Sequence, residues 1–96
     1  MNKYIVLVNW TDQGIRGIKD SPKRLAAVRD AGKKFGCKMT DFNLTIGAYD
    51  MVVAFEAPDD ESMAKYLLTI GSQGNVRSTS LKAFSESAYK KIVGAL

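Results

Sequence analysis

The stretch Asp41-Phe42-Asn43-Leu44-Thr45-Ile46, Gly47-Ala48-Tyr49-Asp50, Met51-Val52-Val53-Ala54-Phe55-Glu56 decides the fold of this chain. Its first six residues alternate polar and apolar, the period of a half-buried strand. Its last six are apolar on both parities, as in a strand covered on both faces. Between them Gly47 permits a positive φ, Asp50 carries a carboxylate suited to bonding turn amides, and Tyr49 can pack locally, so the two strands close into a hairpin.

Working outward, the first strand extends back over Lys38–Ile46. Thr40, Phe42, Leu44 and Ile46 share one face there, and Met39, Asp41, Asn43 and Thr45 the other. Upstream, Ser21-Pro22 opens a helix; Ser can cap it and Pro is preorganised for its first turn. Leu25, Val28, Gly32 and Phe35 recur at helical spacing, and Gly36 closes the segment. Before it, Tyr4–Trp10 is rich in β-branched and aromatic residues and reads as a strand, ended by Thr11-Asp12-Gln13-Gly14. Ile15–Asp20 has room for one helical turn. Downstream, Pro58-Asp59-Asp60-Glu61 starts a second helix with carboxylates near its positive end, and its buried stripe is Met63, Tyr66, Leu67 and Ile70. Asn75–Phe84 is a fourth strand. Ser85-Glu86 starts a terminal helix carrying Tyr89, Ile92, Val93 and Leu96. The order β-α-β-β-α-β, then α, defines an α+β fold, a ferredoxin-like βαββαβ sandwich with an extra C-terminal helix. Residues 1–96 form one domain, without linker or repeat.

The bulk composition narrows the function classes. A net charge of +4 is spread along the chain, and its densest groups, Lys23-Arg24 and Lys33-Lys34, fall on helix faces. A solvated face explains them better than a phosphate-binding stripe, so nucleic acid is not expected as a partner. The one cysteine, Cys37, allows no intrachain disulfide and fits a reducing compartment. No run approaches the roughly 18 apolar residues of a membrane span, and the first residues lack a signal-peptide core. The expected location is cytoplasmic. The absence of histidine removes the commonest general base and metal ligand, so neither a metal nor a haem is expected as cofactor.

With both long helices on one face, the sheet's other face should be polar. The second strand obeys this. The central pair does not, because Tyr4, Val6, Val8 and Trp10 lie opposite Ile5 and Leu7, while Met51, Val53 and Phe55 lie opposite Val52 and Ala54. An apolar patch of this kind marks an interaction surface, and a second copy of the chain is the economical cover. About four such side chains per subunit would contribute on the order of 1.5–3 kcal/mol each before association costs. Tyr4, Val6, Val8, Met51 and Val53 are the residues expected at that homodimer interface; the alternative cover is the terminal helix folded back.

Several segments together resemble the GYD-domain family of small bacterial and archaeal proteins. They are Gly47-Ala48-Tyr49-Asp50, Asn9-Trp10-Thr11-Asp12-Gln13-Gly14 after Tyr4-Ile5-Val6-Leu7, Ser21-Pro22-Lys23-Arg24, Ala57-Pro58-Asp59-Asp60 and Gly74-Asn75-Val76-Arg77. The resemblance implies membership of the dimeric α/β-barrel superfamily, in which two ferredoxin-like units pair through their sheets. It supplies no activity, since that superfamily holds monooxygenases, isomerases, haem enzymes and ligand sensors alike.

Candidate binding residues are Trp10, Asn43, Tyr49, Asp50 and Arg77. Tyr49 and Asp50 pair a hydroxyl with a carboxylate at a strand mouth, and local turn bonding is the competing use of both. Asn43, with Asp41 and Thr45, lines the polar parity of its strand and could form a polar-walled pocket with Ser78 and Ser80. Arg77 could hold a carboxylate bidentately, and Trp10 could serve as an apolar plate. The reading that follows is a homodimeric domain binding a small organic molecule in the cleft between sheet and helices. The alternatives are a cofactor-independent monooxygenase- or isomerase-type enzyme, and a purely structural assembly module.

Overall fold

The hairpin around Gly47 forms from β2 (Lys38–Leu44) and β3 (Met51–Ala57), joined by the loop at residues 45–50. Gly47 has φ 154°, a value that favours glycine, and the Thr45 amide donates to the Asp50 carbonyl at 2.8 Å. In a computed structural model describing all residues, Met1–Leu96, these strands join β1 (Asn2–Trp10) and β4 (Val76–Ala83) in one antiparallel sheet of order β2-β3-β1-β4. The apolar strands β1 and β3 are thus the central pair. The loop after β1 holds α1 (Asp12–Arg16) and a short 3-10 turn over Ile18–Asp20. Next come α2 (Ser21–Ala31), which runs through a second 3-10 turn into Gly36 at φ 71°, and, after β3, α3 (Asp60–Ser72). The last element is α4 (Glu86–Gly94). The expected α+β, ferredoxin-like βαββαβ order with a terminal helix is the order observed.

Local chemistry explains the boundaries. The Asp59 carboxylate accepts from the Ser62 amide at 2.7 Å and the Ser85 hydroxyl from the Ala88 amide at 3.2 Å, each capping its helix. Ser21 instead lies inside α2 in helical conformation, and Asp20 ahead of it makes no side-chain cap. Strand β2 carries a bulge between Met39 and Asp41. The extra residue turns Met39 onto the face of Phe42, correcting the parity expected from simple alternation.

The core lies between the sheet and α3. Tyr4, Val6, Val8, Met51, Val53, Phe55 and Ala57 are buried there with Met63 and Tyr66. This corrects one expectation, for Tyr4, Val6, Val8, Met51 and Val53 do not face a partner but lie beneath the helices of their own chain. The opposite face carries Ile5, Leu7, Val52 and Ala54 on the central strands. Helix α4 does not cover it. Tyr89 (60% exposed), Ile92 and Val93 project from that helix into solvent. No helix is long and apolar enough to cross a membrane.

Tyr66 ties the helical layer to the sheet. Its ring meets Phe55 edge-on at 5.5 Å and Phe35 in a stack at 5.9 Å, and its hydroxyl donates to the Val28 carbonyl at the end of α2. Burial pushes its phenol up to about 12. Gly32 passes so close that a Cβ there would sit 2.7 Å from the Cys37 carbonyl oxygen and 3.1 Å from the Tyr66 ring. The Val28 carbonyl also accepts from the Gly32 amide, so losing the phenol does not orphan it. Tyr66→Phe should therefore lower unfolding free energy by about 1 kcal/mol in chemical denaturation, and Gly32→Ala by more. Equal stability of all three proteins would contradict this account of the α2–α3 junction.

Candidate functional site: a cleft under a three-segment clasp

Three distant segments meet at the end of β1. The Trp10 amide donates to Asp50 Oδ2 at 3.0 Å, while the Asp50 amide donates to the Val8 carbonyl at 2.9 Å and to Asn9 Oδ1 at 3.0 Å. On the other side, the Thr11 amide donates to the Asn75 carbonyl at 3.0 Å, and Thr11 Oγ1 donates to the Gly74 carbonyl at 2.6 Å. Thr11 Oγ1 also accepts from the Gly14 amide at 3.1 Å, capping α1. Gln13 Nε2 reaches the Gln73 carbonyl at 3.1 Å and Asn75 Oδ1 at 3.0 Å. Gly14 is required by the closeness of this approach, since a Cβ there would lie 2.0 Å from the Asn75 carbonyl oxygen.

Beneath the clasp, between the inner face of the sheet and helices α2 and α3, lies a cleft of about 90 Å³. Its walls are mostly apolar, with Val6, Val53 and Phe55 from the sheet facing Leu25, Val28 and Leu67 from the helices. The polar lining is Ser21, Arg24, Gln73, Asn75 and Ser78. Arg24 Nη1 donates to the Gly17 carbonyl at 2.8 Å and Nη2 to the Gly14 carbonyl at 2.9 Å, which joins the guanidinium to the clasp.

The expected binding residues divide among these features. Trp10 lines the cleft, and Asp50 fixes its backbone. Tyr49 stays in the loop, half-buried, where its carbonyl accepts from Thr45 Oγ1 at 2.5 Å and its hydroxyl bonds nothing in the chain. Asn43 is exposed on the outer face of β2, donating to Asp41 Oδ2 at 3.1 Å and to the Val52 carbonyl at 3.3 Å. Arg77 pairs in register with Asn9 on the same outer face. Asn43 and Arg77 therefore do not join Trp10 and Asp50. Nor does the polar pocket of Asp41, Asn43, Ser78 and Ser80 form. Ser78 and Ser80 stand opposite Val8 and Val6 on the inner face, and Asp41 and Asn43 opposite Ala54 and Val52 on the outer one. Arg24 was hidden by its place in a basic pair, although Ser21, Arg24, Leu25 and Val28 share one helical face. Cys37 is buried, and desolvation pushes its thiol up, leaving it a poor nucleophile.

The fold and its clasped loops define a small ferredoxin-like protein, and comparison with known proteins gives the family. Residues 4–93 match the GYD domain, and the chain belongs to that family. A relative from Thermus thermophilus, named "Glutamine synthetase and cystathionine beta-lyase binding protein", is 31% identical over 84 residues, covering 86% of this chain and 88% of its own length. Among solved structures, MtbAldR superposes with a TM-score of 0.69 at 16% identity over 88% of this chain and 52% of its own. FFRP-DM1 gives 0.62 at 14%, over 88% and 100%, and TTHA0845 from Thermus thermophilus gives 0.56 at 22%, over 88% and 95%. These structural likenesses establish the shared fold.

Because the Asp50 carboxylate holds a backbone amide at the sheet's end, Asp50→Ala should destabilise the chain by about 1.5–3 kcal/mol, while Asp50→Asn, which keeps an acceptor, should lose less. Urea denaturation of the two variants checks this, and an unperturbed Asp50→Ala protein would remove Asp50 from the clasp.

Proposed function

We propose that this chain is a homodimeric binding domain that holds a small organic molecule in the cleft between its sheet and helices. The observation that carries the reading is the cleft itself, which has apolar walls, a few convergent polar groups and a roof pinned by hydrogen bonds from three segments. Of its lining residues only Arg24 is ionisable. That favours binding over the proton transfers an isomerase- or monooxygenase-type enzyme would need. Asp50, the nearest carboxylate considered for such a role, is committed to the Trp10 amide.

Self-association is supported by the outer face of the sheet. Ile5, Leu7, Val52 and Ala54 lie side by side on β1 and β3, and Leu81 of β4, 47% exposed, extends the patch. A second sheet packed face to face would bury all five.

A second reading has its own support. The Thermus relative is named for binding two enzymes, and α4 of this chain presents Tyr89, Ile92 and Val93 without partners in its own chain. A protein client docked there would make the domain an adaptor, with the cleft as a separate feature.

Native mass spectrometry tests the first reading. The expected mass is twice the 10.5 kDa chain, together with a retained small molecule in protein from its source. Leu25→Trp, which fills the cleft, should abolish the retained mass and leave the dimer intact. The pair Leu7→Lys and Val52→Lys should instead give monomers. A bare monomer at micromolar concentration would overturn the dimer, and a retained mass unchanged by Leu25→Trp would overturn the cleft.

A further inference from the structure

Arg24 occupies a position where helical packing calls for an apolar side chain. On α2 it follows Ser21 by three residues and precedes Leu25 and Val28, so its guanidinium is carried on the same face as two aliphatic walls of the cleft. It forms no ion pair, and it is the one cationic side chain that lines the cleft. Its bonds to the Gly14 and Gly17 carbonyls use two of five N–H donors and provide no counter-charge. No Asp or Glu borders the cleft. A half-buried cation beside apolar walls is stabilised by an anion that completes its hydrogen bonds, and a carboxylate matches the planar guanidinium.

We propose that the ligand of this cleft is a short aliphatic monocarboxylate, its carboxylate on Arg24 and its tail against Val53, Leu25 and Leu67. The inference rests on the cleft being a binding site, as argued above. Three features of the lining narrow the class. The charge to be met is a single cation, so one carboxylate is accommodated and a second would be left unpaired. The volume of about 90 Å³ is smaller than the roughly 150 Å³ that hold the six carbons of a benzene ring, which limits the tail to roughly three or four carbons. The lining offers an α-ammonium group neutral acceptors from Ser21, Gln73, Asn75 and Ser78 but no counter-charge, which disfavours free amino acids relative to this ligand class.

Calorimetric and NMR titrations of the full chain with isovalerate, isovaleramide and valine test the assignment. The expected result is that isovalerate binds about 10- to 100-fold more tightly than its amide, the worth of a charge-assisted hydrogen bond. Valine should bind more weakly than isovalerate, and the resonances that move should be those of Arg24, Leu25 and Val53. Arg24→Gln should erase the acid-over-amide preference, and Arg24→Lys should retain part of it. Arg24 also holds two loop carbonyls, so its variants are expected to lose some stability; the acid-to-amide ratio in the unaltered protein needs no variant. Equal binding of acid and amide would overturn the Arg24 assignment and leave the cleft as an apolar site. No binding of either at millimolar concentration would remove the cleft reading as well. Valine matching isovalerate would overturn the exclusion of an ammonium group.

Discussion

The close passage of Gly14 against the Asn75 carbonyl is the contact on which much of this structure depends. A Cβ at residue 14 would stand 2.0 Å from that oxygen, so the loop after β1 and the loop before β4 can meet only through glycine. Their meeting brings Thr11 and Gln13 within hydrogen-bond reach of residues 73–75 and places the Gly14 carbonyl where Arg24 can hold it. Asp50 closes the same end from the hairpin side. Segments some forty and sixty residues away from β1 thus share one set of bonds at its end. The cleft beneath is shaped by that convergence rather than by any one helix.

Much of the fold was legible because strands β1 and β3 are short β-branched and aromatic runs bounded by turn residues, and the stripe on α3 has a helical period. The caps at Asp59, Ser85 and Gly36 were legible because each acts within a turn of its own position, whereas Ser21 lies inside α2 rather than capping it. Parity was not. Strand β1 is apolar on both faces, so nothing in its own residues says whether Tyr4, Val6 and Val8 or Ile5 and Leu7 meet the helices. The answer comes from α3, whose Met63 and Tyr66 pack with the first set. The bulge after Met39 was hidden too, because one extra residue leaves the composition of β2 unchanged while reversing the face of everything before it.

The candidate site was legible only in part, and the reason is again one of distance. Trp10 and Asp50 stand out as a large aromatic and a turn carboxylate, and they do meet, but through a backbone amide that carries no residue signature. Asn43 and Arg77 look like ligand-binding types, yet strand alternation sends both to the outer face. Arg24 has the opposite history. Its neighbour Lys23 makes the pair look like a solvated helix face, while the spacing from Ser21 to Val28 turns Arg24 inward. Helical phase, not residue type, separates the two basic side chains.

The same geometry explains why a small chain leaves two of its surfaces available. Only 12 of 96 residues are buried, and α2 contributes none of them, so the helical layer rests on α3 and the Tyr66 contacts. A domain of this size has little surplus core with which to seal a cleft and an outer face at once. A ligand binding only the folded chain, or a second sheet against Ile5 and Leu7, adds stability in proportion to the logarithm of its concentration over its dissociation constant. Cleft and outer face share strands β1 and β3, with alternate residues of each strand serving one or the other. A ligand on the inner side chains and a second copy on the outer ones would therefore bear on the same two strands, the central pair of the sheet.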